Sequence, residues 1–192
     1  MKRMVCYGGA PLDPDDSYPQ HMSAPDIIIR QECLDDTSAV SRVTIAAFLA
    51  APHTSHTEHF IIEALRKAGK LTVSRVATHN EEVVGHVAAS PIEIDGTDEG
   101  WYGLGPVSVL AGYRHRGIGS ALVMDALLVL SSAGAAGCVV LGDPGFYERF
   151  GFKASGSLRL AGVPAEYFMA VAFDASMPSG DVSYHEAFHA QS

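Results

Sequence analysis

The chain has 192 residues, 47% of them apolar and 18% charged, with a formal net charge of −9. That length suits one domain with a sizeable core, and the apolar fraction is too high for general disorder. An acidic chain without basic clusters lacks the Lys and Arg surplus that phosphate neutralisation needs, which excludes nucleic acid and anionic membrane surfaces as partners.

Residues 1 to 25 are rich in Pro, Asp, Gly and Ser without periodicity and read as a disordered leader, with Met22 a second candidate start. Lys2 and Arg3 are followed by Gly8, Pro11, Asp13 and Pro14 where the apolar core of a secretory signal belongs, so no such signal is read. Order is expected from Ile27-Ile28-Ile29-Arg30, a short strand. Asp35, Asp36 and Thr37 are candidate N-caps for a helix whose apolar positions are Val40, Val43, Ala47 and Phe48. Ser55-His56-Thr57-Glu58 has the capping-box pattern and opens a second helix through Phe60, Ile61, Ala64, Leu65 and Ala68, with Gly69 as its stop.

Alternation over Leu71 to Ala77, a turn at His79-Asn80-Glu81 and a return from Val83 to Ser90 predict a hairpin. Gly103 to Val109 is a third strand, Gly117 to Leu130 a helix apolar nearly all round, and Cys138 to Leu141 a buried strand. Ile118 to Gly142 carries one charge, Asp125, and resembles a membrane span. Ser131, Ser132, Gly134 and Gly137 interrupt it, and a buried helix running into a buried strand explains it better. Phe146 to Phe150 is a short helix and Phe168 to Phe173 a last strand. The order β-α-α-β-β-β-α-β-α-β predicts a mixed α/β fold with one central sheet, the domain spanning residues 27–174 and a tail, 175–192, packing on it.

Three scattered cysteines, Cys6, Cys33 and Cys138, have no C-x-x-C spacing, which argues against a disulfide framework and suits a reducing cytosol. His53-x-x-His56-x-x-His59 invites a metal reading, but it lies in a loop running into a helix start with no Cys or Asp ligand beside it; no metal is expected.

The informative stretch is Val107 to Leu122. A strand ends, a loop with Arg114, His115 and Arg116 follows, and Gly117-Ile118-Gly119-Ser120 opens the apolar helix. Glycines let a ligand approach the backbone, and the first helical N–H groups carry the positive end of the helix dipole, so the chemistry that fits is a phosphate or pyrophosphate. The pattern is neither a Walker loop nor a dinucleotide fingerprint. Read alone, it is equally a helix started at Gly with two solvated arginines. Thirty residues past Gly117 stands Tyr147, in Phe146-Tyr147-Glu148-Arg149-Phe150-Gly151-Phe152.

Strand, R-x-x-G-x-G, helix, strand and then Y-x-x-x-G-F together resemble the GCN5-related N-acetyltransferase (GNAT) superfamily over residues 27 to 174. Gly103-Leu104-Gly105-Pro106-Val107, Leu141-Gly142-Asp143-Pro144 and the closing Tyr184-x-x-Ala-Phe resemble its YhbS-like predicted acetyltransferases. The resemblance implies a mostly antiparallel sheet, flanked by helices and splayed at an acetyl-CoA site. It implies that Val107 and Val109 pair with the pantetheine arm and that Arg114 to Ser120 hold the pyrophosphate. Tyr147 would protonate the departing thiolate; its other reading is an aromatic core residue. The expected activity is direct acetyl transfer from acetyl-CoA to an amine, a small molecule being favoured, with a homodimer by analogy. Transfer to a protein lysine or N-terminus, and a non-catalytic acyl-CoA sensor, remain alternatives.

Two departures leave the base unassigned. Trp101 to Gly105 offers no carboxylate where many relatives have one, and Asp143-Pro144 stands in place of an Asn. His86 is the first candidate for the base, since its pKa range suits the work, although a strand histidine is also simply a packed one. Ser90, Glu58 and Glu63 rank below it, and a water chain stands level with any side chain.

Overall fold

A computed structural model describes residues 27–49, 54, 56–173 and 176–191. The leader reading of residues 1–25, Cys6 and His53 therefore lie outside the described residues. Strands β1 (Ile27–Gln31), β2 (Val73–His79), β3 (Glu82–Ile94), β4 (Trp101–Val109) and β5 (Gly137–Leu141) run across the sheet in chain order. Short strands β6 (Lys153–Ala154) and β7 (Leu158–Arg159) precede β8 (Phe168–Ala172) and β9 (Gly180–Tyr184); β8 and β6 complete the order after β5. Residues 180–184, read from sequence as tail, extend the sheet: β9 pairs antiparallel with the far end of β3, Ile92 opposite Tyr184.

Local chemistry accounts for the turns. The β2–β3 hairpin closes on Asn80 and Glu81, both with positive φ (49° and 68°), the handedness a two-residue hairpin needs to match strand twist. Helix α1 is Thr37–Phe48. Asp36 precedes it, but its carboxylate is turned to Arg30 and to the N–H of Cys33 instead of the helix. Helix α2, Glu58–Lys67, starts with Thr57 at its N-cap, so Glu58 is the first helical residue and not the third position of a capping box. Its carboxylate accepts from the Thr54 hydroxyl.

The helices take opposite faces of the sheet. Helix α3 (Ile118–Ser132) buries Leu122, Val123, Ala126 and Leu130 against Val73, Val87, Leu104 and Val140. On the other face Val40 of α1 and Ile62 of α2 pack on Val76. The apolar run from Ile118 to Gly142 thus resolves into a 15-residue helix and a strand, and no helix among the described residues is long and apolar enough to cross a membrane.

What positions the site is one short pairing. Strand β4 is antiparallel to β3 along its length but parallel to β5 only from Trp101–Leu104 against Gly137–Val140. Beyond Leu104 the two strands part. β5 leaves into helix α4 (Pro144–Tyr147), and the outer edge of residues 105–109 is left open.

Candidate active site

The open edge of β4 borders a cavity of about 670 Å³. Val107 and Val109 form one wall, the start of α3 a second, and Phe146, Tyr147 and Arg149 a third; Ala47 and Phe48 of α1 close one end. Nine of the eleven residues picked out from sequence line it: Val107, Val109, Arg114, His115, Gly117, Ile118, Gly119, Ser120 and Tyr147. Arg116 stacks over the Tyr113 ring instead, 5.3 Å from its centroid. His86 is buried on the opposite face of the sheet and does not line the cavity.

The α3 end presents backbone donors. The N–H groups of Ile118, Gly119 and Ser120 precede the first intrahelical bond, from Ala121 N–H to Gly117 C=O, and all three residues face the cavity. His115 (φ 60°) and Gly117 (φ 80°) both lie in the left-handed region, a backbone shape of the kind that suits loop amides to an anion at a helix N-terminus. Arg114 is engaged differently. Its Nη2–H donates to Ala47 C=O (2.6 Å) and its Nε–H to Val109 C=O (3.3 Å), tying the C-terminal turn of α1 to the end of β4.

Tyr147 is held by packing. Its ring meets Phe146 and Phe152 edge-on, at 4.9 and 5.8 Å between centroids, and covers the backbone of Gly142. Asp143 caps α4 by accepting from Gly145 N–H (3.0 Å), with Pro144 in the first turn. Burial, and then the nearby Cys138, push the phenol up to about 12, so at neutral pH it is a donor. Burial likewise pushes the Cys138 thiol up, which leaves it an inert core residue.

His86 sits among other buried polar groups. Its Nε2 is 2.8 Å from Ser74 Oγ and 3.8 Å from Glu32, while Nδ1 meets no partner among the described residues. Burial and then the Arg66 charge hold the imidazolium down, to about 3. Of the histidine trio, His59 stacks on Phe60 and His56 is exposed. Sequence reasoning missed Ala47, Phe48, Tyr113, Phe146 and Arg149 as cavity residues. Phe146 and Arg149 flank Tyr147 and were within reach of the motif; Ala47 and Phe48 arrive from a separate helix with no local signal.

Comparison with known proteins agrees with this geometry. The family model of the acetyltransferase (GNAT) domain matches residues 70–154. The chain is 36% identical over 152 residues to the uncharacterized N-acetyltransferase YhbS of Escherichia coli K12, covering 76% of this chain and 91% of the relative. A GNAT family acetyltransferase from Brucella melitensis, solved in complex with acetyl-CoA, superposes with a TM-score of 0.77 at 45% identity, covering 86% of this chain and 99% of that one. The Escherichia coli YhbS structure in complex with CoA gives 0.80 at 33% identity, covering 87% and 94%. The chain belongs to the GNAT acetyltransferase family.

Proposed function

We propose that the protein transfers acetyl from acetyl-CoA directly to an amine, a small molecule being the favoured acceptor, within the cavity at the open edge of β4. The observation that carries this reading is the convergence of three features on one cavity: unpaired strand edge, helix N-terminal amides and a protonated phenol. Relatives solved with acetyl-CoA and CoA support the ligand. In this reading the pantetheine arm lies along Val107 and Val109 as an added strand, and the amides of residues 117–120 take the pyrophosphate. A backbone N–H near Val109 polarises the thioester carbonyl. Tyr147 donates its proton to the departing sulfur, help of a kind typically worth ~10²–10⁴ in rate. The exposed free thiol of Cys33 suits a reducing cytoplasm as the setting.

The absence of any carboxylate on Trp101–Val109 favours a second reading, an acyl-CoA-binding sensor without turnover. Thermal stability measured against acetyl-CoA, CoA and desulfo-CoA, followed by turnover of a Tyr147→Phe variant, separates the two. Ligand at 100 times Kd should add ~2.7 kcal/mol. No stabilisation at millimolar ligand overturns the acetyl-CoA reading. Stabilisation with turnover lost on removing the phenol oxygen supports the enzyme, whereas turnover unchanged by that variant removes Tyr147 as the acid.

A further inference from the structure

A row of polar side chains crosses the helix α1 and α2 face of the sheet. It runs from Glu32, just past β1, through Ser74 on β2 and His86 on β3 to Ser108 on β4 and Thr44 on α1. Ser74, His86, Ser108 and Thr44 are all buried, on a face that also packs the apolar Val40, Ile62 and Val76. Burying so many hydroxyls and a histidine there is costly unless they act together.

The hydrogen-bond pattern fixes the proton on His86. Glu32 only accepts, and it takes the Ser74 hydroxyl proton on one oxygen and Arg66 Nη2–H on the other (2.5 Å). Ser74 has no second proton to give, so the 2.8 Å contact is Nε2–H donating to Ser74 Oγ. Nδ1 is then a bare lone pair, buried and without a partner among the described residues. The two ring nitrogens diverge, so Nδ1 does not share the Ser74 contact, and the residue paired with His86 on the next strand is Ser108. Ser108 is flanked by Val107 and Val109, and Thr44, which accepts from Ser108 Oγ, lies one turn before Ala47 and Phe48; those four residues line the cavity. A second buried polar atom without a partner among the described residues, Ser90 Oγ, shares this face beyond Ala88.

We propose that Glu32 and Ser74 are positioning residues that hold His86 as the Nε2–H tautomer, so that its Nδ1 receives, through water, the proton released by the acceptor amine. This rests on the acetyltransferase reading above. As the amine nitrogen bonds to the thioester carbon, the C–S bond breaks with its electron pair on sulfur, which takes the Tyr147 proton. The amine proton enters at Nδ1, Nε2 passes its own to Ser74 Oγ, and Ser74 passes its own to Glu32. Tyr147 regains a proton from solvent, and the relay runs back as Nδ1 loses its proton through water, Glu32 returns one to Ser74 and Ser74 returns one to Nε2, which restores the Nε2–H tautomer and closes the cycle. Passing a proton through the ring avoids a resting imidazolium, the form that burial and Arg66 disfavour. The charged groups facing His86 are Glu32 and Arg66.

The test is NMR of the full chain with ¹⁵N-labelled imidazoles, the His86 signal being assigned by its loss in His86→Asn. The expected spectrum at neutral pH is Nε2–H with an unprotonated Nδ1, and Ser74→Ala lets the tautomers mix. Turnover is read with acetyl-CoA and two probes, n-butylamine, cationic at neutral pH, and hydroxylamine, neutral there. Glu32→Gln and Ser74→Ala lower kcat for n-butylamine roughly tenfold to a hundredfold, and that for hydroxylamine less, with KM for acetyl-CoA retained. Ser74→Thr, which keeps the hydroxyl, restores the rate. An imidazolium or a protonated Nδ1 in the wild type overturns the proposal, as do variants that turn over like wild type while acetyl-CoA still stabilises them. A wild type that acetyl-CoA does not stabilise overturns the acetyltransferase reading itself.

Discussion

The ring of Tyr147 fills the space that a β-carbon on Gly142 would occupy. The residue just past β5 thereby seats the phenol at the cavity wall, and Gly142 is fixed in turn by donating to Tyr167 C=O (3.0 Å). Gly142→Ala must push the ring aside or shift the strand end. We expect a stability loss of ~1–3 kcal/mol from overpacking. Turnover should fall with it while acetyl-CoA affinity changes little, because the α3 amides stay in place. Calorimetry and steady-state kinetics on the same preparation check this; full turnover in the alanine variant would show that the ring position is irrelevant.

The two glycines of the loop should respond with opposite signs. Gly117 has φ 80° and open space around it, so Gly117→Ala meets no clash but forces an L-residue into the left-handed region, at ~1–2 kcal/mol. It also re-aims the amides, so affinity for CoA falls. A β-carbon at Gly119 would stand 3.7 Å from Phe146 and from Val109, ordinary contact. Gly119→Ala should therefore stabilise the free protein by ~0.4–1 kcal/mol through the unfolded chain, yet weaken CoA by placing a methyl in the cavity. Denaturant titrations with and without CoA separate the two effects.

These contrasts mark what was readable from sequence. The loop and α3 were, because R-x-x-G-x-G packs its consequences into six consecutive residues. The hairpin was too, since Asn80 and Glu81 tolerate the turn and the flanking strands alternate. The parting of β4 from β5 was expected only through the family resemblance, as a sheet splayed at the acetyl-CoA site; its place, after Leu104 opposite Val140, depends on where a non-local pairing stops, and the one local mark is Pro106, which has no N–H to give a ladder. β9 was read as tail because Gly180–Tyr184 is short and its partner, Ile92 to Ile94, lies far back in the chain. His86 was visible as an oddity in an apolar strand, but Ser74 and Glu32 reach it only through strand pairing across β1, β2 and β3.

Acid should destabilise the fold through His86. Burial and Arg66 lower its folded pKa to about 3, against 6.5 for the free side chain. Below pH ~6.5 the unfolded chain takes up a proton that the folded one refuses, so stability is lost as pH falls, by up to ~1.4 kcal/mol per unit, until the folded pKa is reached. Asp36, held below the usual carboxylate range chiefly by Arg30, adds its own loss only under pH ~4. Between pH 4.5 and 6.5 the slope of unfolding free energy should thus be shallower in His86→Gln than in wild type. Equal slopes would mean that His86 titrates normally when folded.

Arg114 and Arg116 stand two residues apart and should differ sharply on truncation. The Arg114 guanidinium binds Ala47 C=O, at the α1 end of the cavity, and Val109 C=O, on its β4 wall, whereas Arg116 lies over Tyr113 in a cation–π contact. Arg114→Ala leaves two carbonyls without their charged donor and frees the end of α1 from β4. The expected losses are ~1–3 kcal/mol of stability and at least tenfold in CoA affinity. Arg114→Lys should recover little, because one ammonium cannot reproduce the spread of the guanidinium's two donors. Arg116→Ala removes a contact worth ~0.5–1 kcal/mol and an exposed charge, so its effect on affinity should shrink as salt rises. Isothermal titration of CoA at two ionic strengths distinguishes them: a loss at Arg114 that persists in salt identifies a strap between the walls, and one that vanishes identifies only a charge facing the pyrophosphate.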